Sequence, residues 1–449
     1  MPRIYDRTEW IDESTPVSHD LRHVPQAEDA RGPEGKIALQ GGRIFDAVGN
    51  TVYTGTVVMD GNRIVDVGQT SDVQIPADAR VLDVSGRTVM PGLIDLHCHL
   101  TFTQSEISVS QGQCLADAAL RGVERMRIWL ESGITTIRDA GSHGMAPFRL
   151  KEWTQNNRLP GPRIFPAGCL ITGVGGHGAE SLDHASPMLG IIREASGPDD
   201  WRNAAREQFK RGADIIKIAS HFSRDEVAAV VDEAHSLGLK VMCDAETQYV
   251  EWAVEAGVDT IEHPLPRTDE VIRRMAERGV AAIPTAVAYV IIFDRLGGYF
   301  GSSSRRFTFS KDDNVRMIKR MKDAGVKMGI GTDVIFDDYR MFPSPYIVEL
   351  KLFTEAGFSI TETLRIATAT SAEILGMDHL LGTLERGKLA DVLVIDGEPD
   401  RDLDDLARVD MVIRDGHMLI EDGRVMTPRH VPVPMPDSDE REGNRRFWG

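Results

Sequence analysis

At 449 residues, 41% of them hydrophobic, the chain carries enough apolar material for a large buried core, so one large domain, or one with a small companion, is expected. The formal charge of −18 leaves no basic face of the kind nucleic acid or an anionic membrane needs, and no window of 18 or more uncharged apolar residues marks a membrane span. Four cysteines (Cys98, Cys114, Cys169, Cys243) make neither a disulfide framework nor a Cys-x-x-Cys zinc pair, and Met1 to Asp6 lack the apolar run of a secretory signal, so reduced thiols in a cytoplasmic protein are expected.

In chain order, residues 1–35 are charged and carry several prolines (Pro2, Pro16, Pro25, Pro33) without periodicity, which predicts an extension rather than a core element. Over 36–87 short β runs, Ile37 to Leu39, Gly41 to Asp46 and Thr56 to Gly68, are split by Gly, Asn and Asp turns. The pattern returns over 384–428, in Leu389 to Gly397 and Val409 to Gly416, each closed by an Asp-Gly turn. Neither segment is long enough for a core of its own. The two are therefore predicted to form one small composite β-sandwich domain, with residues 88–383 inserted between them and 429–449 left as a tail.

The inserted stretch alternates strand and helix. A strand at 93–100, opened by the Pro91-Gly92 turn, is followed by strands at 134–138, 163–167, 214–219, 240–245, 260–263, 281–285 and 327–333. Helical patterns such as 225–237 and 269–278 lie between most of them, several ending at a glycine. Eight such units predict a (β/α)8 TIM barrel, a fold that gathers its catalytic groups at the C-terminal ends of the strands. Those ends carry His97 and His99, Lys217, Asp244, His263 and Asp333. Alternate residues of a strand share a face, so His97 and His99, about 6–7 Å apart along the backbone, can converge on one divalent cation. Two packed histidines is the competing reading of any isolated His-x-His; a whole set of ionisable groups at strand ends is hard to explain as packing.

With these motifs the chain resembles the amidohydrolase superfamily, metal-dependent hydrolases built on this barrel with a composite β-sandwich. The likeness rests on Pro91-Gly92-Leu93-Ile94-Asp95-Leu96-His97-Cys98-His99, Gly133-Ile134-Thr135-Thr136, Gly212-Ala213-Asp214-Ile215-Ile216-Lys217, Ala256 to His263, Gly329-Ile330-Gly331-Thr332-Asp333 and Gly382 to Asp391, and spans roughly residues 36–425. At Lys217 and Gly175-Gly176-His177-Gly178 it is most similar to the branch of metal-dependent dipeptidases and prolidase-like amide hydrolases. The resemblance implies hydrolysis of a C–N bond in a small-molecule amide, dipeptide, urea or carbamate. The cofactor it implies is one or two divalent metal ions, Zn2+ first and Mn2+ or Co2+ as alternatives, which acidify a water and polarise the carbonyl. His97 and His99 would bind the more buried ion, Asp333 would ligate it and act as general base and then general acid, and His263 would bind the second. Lys217 would be carboxylated by CO2, its carbamate bridging the ions; a desolvated ammonium sheds its proton more readily, and a neutral amine reacts with CO2. The plain alternative is a lysine reaching solvent at the rim. His177, in the loop Gly173 to Gly178, would help polarise the carbonyl, because glycines let a backbone lie close to a ligand; a solvent-exposed loop histidine is the other reading.

Strand 5 departs from the family pattern, with Asp244-Ala245-Glu246 where a histidine ligand usually stands. One reading keeps two metals, the Asp244 carboxylate replacing imidazole and tilting preference towards a harder ion such as Mn2+. The other leaves one metal, with Asp244 or Glu246 contacting its neighbours or a substrate cation. The first is preferred because an unpaired carboxylate inside a barrel is expensive. His221, just after strand 4, is a further candidate; His235, inside a helical run of the outer layer, reads as a surface or packing residue. Arg138 pairs with Asp139 or meets a substrate carboxylate. Residues 288–312, with Tyr289 near the start, form an insertion expected to be a lid or an oligomer contact. Phe336 to Tyr339 are expected at the mouth, their acids favouring a cationic or neutral substrate. Glu246 and Tyr289 join Arg138 and His221 as substrate candidates. A homo-oligomer is expected. Competing functions are ester or lactone hydrolysis, deamination, which Lys217 disfavours, and a metal-poor, non-catalytic binding protein.

Overall fold

Strands from the two ends of the chain share one sheet in the computed structural model, which describes residues 33, 35–102, 115–179, 190–296, 310–334 and 336–426. Its nine strands run in the order Arg424–Val425, His417–Glu421, Val409–Arg414, Val392–Ile395, Thr88–Pro91, Lys36–Ile44, Tyr53–Asp60, Arg63–Gln69, with Arg80–Asp83 paired to Lys36–Ile44 off this path. The joint is the antiparallel pair Val392–Ile395 and Thr88–Pro91, with Val392 opposite Pro91. Leu39, Ile44, Val57 and Ile64 from the first segment pack with Leu384, Val392, Val394 and Ile413 from the second. Each such side chain contributes about 1.5–3 kcal/mol on burial, and neither segment has enough of them alone. Hydrogen bonding links the strands of both segments into one continuous sheet. The extension 1–32, Cys114, residues 297–309 of the insertion and the tail from 427 lie outside the described residues.

The middle of the chain is TIM-barrel-like, an α/β fold with this sheet as its extra β domain. Leu93–Cys98, Ile134–Asp139 and Arg163–Pro166 form a three-stranded parallel sheet. Ile192–Ala195, Leu170–Gly173, Ile215–Ala219, Lys240–Asp244, Thr260–Glu262 and Ala281–Ile283 form a parallel sheet of six. Most of these strands are buried along their whole length, as apolar runs covered by helices on the outside must be. The helices have local reasons to start and stop where they do. Arg224–Ser236 opens on a capping box between Ser223 and Glu226, and Asp269–Arg278 closes on Gly279 in the left-handed conformation.

Two strands depart from expectation. After the third, Arg163–Pro166, an unexpected strand follows: Gly168, at φ 79°, turns the chain while Cys169 N–H donates to Gln208 Oε1 at 3.1 Å, and Leu170–Gly173 joins the other sheet. The stretch predicted as the eighth strand makes one bridge, Met328 to Ala282, and is tied to the first strand by bonds that include Leu96 N to Ile330 O at 2.8 Å and Asp333 N to His97 O at 2.7 Å. The insertion also begins differently: Ala286–Leu296 is a helix, so Tyr289 is a buried helical residue and not part of a loop.

Glu349, on the helix Ser344–Glu355, is wholly buried and accepts Val287 N–H at 2.7 Å from the first turn of the helix Ala286–Leu296. Burial pushes its carboxyl up to about 8, against the pull of the Val287 and Ala286 backbone bonds. The folded chain therefore keeps a proton that the unfolded chain releases near 4.5, and stability falls as pH rises from about 4.5 to about 8. Glu349→Gln is expected to remove this slope and to stabilise the protein at pH 8 by on the order of 2–5 kcal/mol. Thermal melts of both proteins across that range check it; parallel curves would refute the assignment.

Candidate active site

His97 ends the Leu93–Cys98 strand, buried, and its Nδ1 lies 2.6 Å from Glu262 Oε2. A carboxylate only accepts, so Nδ1 carries the proton and the Nε2 lone pair is left facing Asp333 Oδ1 at 3.6 Å. His99 is held the same way: Nδ1 donates to Gly141 O at 2.8 Å, and Nε2 faces Asp333 Oδ1 at 3.1 Å. Tyr339 fixes the His99 backbone from outside, its hydroxyl donating to His99 O at 2.8 Å. Asp333 reaches the histidines because Gly331 has no side chain. A Cβ there would come within 2.8 Å of His97 Cβ and 3.0 Å of His97 N, so only glycine lets this segment lie against the strand. Asp333 itself sits at φ 46° and His263 at φ 65°, left-handed conformations that cost about 1–2 kcal/mol each. Backbone bonds from Asp333 N to His97 O and from His263 N to Ile283 O hold them there.

The ligand-type atoms of His97, His99 and Asp333 all lie within 4.8 Å of one another. Burial, reinforced by the positive groups around it, pushes His97 well below its ordinary value, so this imidazole is neutral. At Asp333 burial pushes upward, but the His99 hydrogen bond and the charges of His263, His99 and Lys217 outweigh it and hold the carboxyl below the usual range. Imidazole nitrogens beside a carboxylate are the donors a divalent cation takes. Beside them lies Asp244, its Oδ2 3.2 Å from His263 Nε2 and 3.3 Å from His177 Nε2. His263 connects the two groups: its Nδ1 is 2.7 Å from Thr285 Oγ1 and 3.7 Å from Asp333 Oδ2. Lys217 is buried from the Ile215–Ala219 strand, and its Nζ has no hydrogen-bond partner among the described residues. A buried ammonium with no hydrogen-bond partner is costly.

The sequence model of the amidohydrolase family matches residues 88–419, about three quarters of the chain. The chain belongs to that family. This amidohydrolase is therefore an enzyme, a hydrolase acting on C–N bonds, in a family that typically binds metal. It is 25% identical over 426 residues to an imidazolonepropionase of Symbiobacterium thermophilum, covering 86% of this chain and 94% of that protein. It is 24% identical over 427 residues to an ochratoxinase of Aspergillus niger, covering 86% and 87%. Among solved structures, a prolidase complexed with N-methylphosphonate-L-proline superposes with a TM-score of 0.76 at 31% identity, covering 86% of this chain and 100% of that one. A Xaa-Pro dipeptidase with bound methionine gives 0.74 at 27% identity, covering 86% and 99%. No described helix of the amidohydrolase is long and apolar enough to cross a membrane.

Several residues of this amidohydrolase sit elsewhere than expected. Arg138 meets neither Asp139 nor the mouth: its Nη2 lies 2.9 and 2.8 Å from the two oxygens of Glu262, and its Nε donates to Leu96 O. Adjacent strand residues point to opposite faces, and Asp139 accepts instead from Leu100 N–H and Ser142 Oγ. Glu246 is buried and accepts from Ser220 Oγ at 2.9 Å. His221 packs its ring 5.6 Å from that of Tyr249. His235 is buried, its Nε2 2.9 Å from Asp259 Oδ2, so it is a packing residue of the barrel's outer layer and not a surface one. Tyr289 lies with its ring 5.6 Å from that of His263. The glycines before His177 turn out to face the chain's own backbone. A Cβ on Gly173 would clash with His221 O and one on Gly176 with Ser220 O, and His177 N donates to Ser220 O at 2.8 Å. That packing aims His177 at Asp244. Tyr339, expected at the mouth, lies buried against the His99 backbone. Glu262 and Thr285 are neighbours of the site that the sequence did not single out; only Glu262 carried a signal, standing beside His263 in a quoted motif.

Proposed function

We propose that this amidohydrolase cleaves the amide bond of a small dipeptide-like substrate. The observation that carries the reading is the cluster of His97, His99 and Asp333 beside the buried, unpartnered Lys217 amine. The 31% identity to a prolidase over most of the chain supports the substrate class. His97, His99, Lys217, His263 and Asp333, with Asp244, would hold one or two divalent cations, Zn2+ or a harder ion, which when bound acidify water and polarise the scissile carbonyl. Asp333 takes the proton of the attacking water and delivers it to the leaving nitrogen; a carboxyl held low in proton affinity stays ionised, and so open to that proton, and gives it up readily in the second task. Lys217 reacts as its neutral amine, after its ammonium has given one proton to solvent: Nζ then adds to the carbon of CO2, one C=O electron pair moves to oxygen, and a second proton leaves Nζ for solvent, giving a carbamate anion. His177, about a quarter exposed, is the histidine of this set most open to the substrate carbonyl. The segment 327–333 completes an eight-stranded barrel between Ala281–Ile283 and Leu93–Cys98; its Lys327 O accepts Ala282 N–H and its Ile330 O accepts Leu96 N–H, which supports this reading. The domain borders follow as 36–87 with 384–428, and 88–383.

A second reading, one cation only, draws on the two histidines that already flank Asp244 and make a cation unnecessary there. Elemental analysis of protein expressed with bicarbonate separates them. We expect two ions per chain in the wild type, falling to about one in Asp244→Ala. One ion in both would assign a single-metal site, and none in the wild type, with no amine released from a dipeptide panel, would refute the function.

A further inference from the structure

The ion pair behind the cluster joins two strands that the site does not otherwise connect. Arg138 and Glu262 are 1% and 0% exposed, so neither touches solvent or substrate. Glu262 accepts from three side chains at once. Its Oε2 takes His97 Nδ1 at 2.6 Å and Arg138 Nη2 at 2.8 Å; its Oε1 takes Arg138 Nη2 at 2.9 Å and Thr260 Oγ1 at 2.5 Å. Arg138 is fixed in turn by Leu96 O and by Thr260 Oγ1, the latter at 3.2 Å from Nη1. A buried pair of this sort adds little net stability against an apolar replacement, so stability alone does not account for it. What it does is leave His97 no choice of tautomer. Every atom of Glu262 that His97 can meet is an acceptor, and the guanidinium keeps both oxygens turned to that task.

We propose that Arg138 and Glu262 form a buried positioning pair that holds the proton on His97 Nδ1 and so keeps the Nε2 lone pair directed at the Asp333 carboxylate. The pair touches no reacting atom; it acts through His97 alone. This rests on the metal reading above, since a directed lone pair matters only if something binds it.

The single variant Glu262→Gln is informative because it is nearly isosteric and yet cannot satisfy its neighbours. An amide offers one acceptor and one donor, and whichever end faces His97, the other opposes Arg138 or Thr260. Its zinc affinity is expected to fall about 10–100-fold. Because that variant also strands Arg138, two double variants supply the decisive comparison. In Arg138→Met with Glu262→Gln, the glutamine carbonyl is free to accept from His97 and its amide to donate to Thr260. In Arg138→Met with Glu262→Leu, no acceptor remains. Neither carries a buried charge, so folding affects both alike, and melts of the metal-stripped chains should agree within a few degrees.

Zinc release to a chromogenic chelator reads the outcome on the full chain. The Gln double variant should hold zinc within about threefold of wild type, and the Leu double variant about 10–100-fold more weakly. In metal-free protein labelled with nitrogen-15 on histidine, the His97 ring should report protonated Nδ1 in the first and a mixture of tautomers in the second. Equal zinc retention by the two double variants would overturn the positioning role while leaving the metal reading intact. A wild type that retains no zinc would overturn the metal reading and the pair's role with it.

Discussion

Asp333→Asn should reduce turnover on a dipeptide substrate by about 10³-fold or more, with the fold unchanged. The asparagine keeps the size of the side chain and the backbone bond from residue 333 to His97 O, so the segment behind Gly331 has no reason to move. It loses the ability to take a proton. Asp333 is the only ionised carboxylate that both histidines of the His-x-His motif face, at 3.1 and 3.6 Å, so among the described residues nothing stands ready to replace it. Stability responds only weakly. A carboxyl held below its ordinary value adds stability at neutral pH that is lost as pH falls through its folded value, and the amide forgoes that modest gain. Steady-state kinetics together with thermal melts check the prediction; a variant that melts normally and turns over normally would remove Asp333 from the chemistry.

Lys217→Met should act in opposite directions on activity and on the stability of the metal-free protein. Methionine matches much of the lysine stem and fills the same buried slot on the strand face shared with Ile215 and Ala219, but brings no amine. In metal-stripped chains the substitution removes a buried nitrogen that has no hydrogen-bond partner among the described residues, so stability should rise by about 1–4 kcal/mol. In the presence of zinc and bicarbonate the order reverses. The wild type gains the binding energy of its ions and the variant forgoes part of it, with at least one ion lost and turnover down by about 10²-fold or more. Denaturant melts with and without metal, beside elemental analysis, read both signs. A variant with wild-type metal content and rates would return Lys217 to an ordinary structural lysine.

The legible parts of this molecule are those where one residue type and its neighbours suffice. The strands Leu93–Cys98, Ile215–Ala219 and Lys240–Asp244 announce themselves as apolar runs that end on ionisable groups, and helix ends such as Gly279 follow from glycine alone. What was not legible depends on partners far along the chain. Arg138 invited pairing with Asp139 next door, yet its partner Glu262 lies 124 residues on, and nothing in either segment names the other. Ile192–Ala195 was missed because its two central residues, Arg193 and Glu194, give no apolar alternation; it is an edge strand. Gly173 and Gly176 signalled a close approach, but the sequence does not say to what, and the answer was the backbone of Ser220 and His221. At Asp244 the departure from the family pattern was visible, and its two histidine neighbours were not.

The sheet that unites both ends of the chain sets an order on how the protein can be made. Thr88–Pro91 leaves the ribosome about 300 residues before its partner Val392–Ile395, and until then one side of it is an open edge of unpaired peptide groups between two valine-rich stretches. Such an edge invites pairing with another nascent copy. The early strands cannot lock until nearly all of the hydrolase has been synthesised, which places the slowest closure last and makes the strand from Val392 to Ile395 the latch of the whole fold.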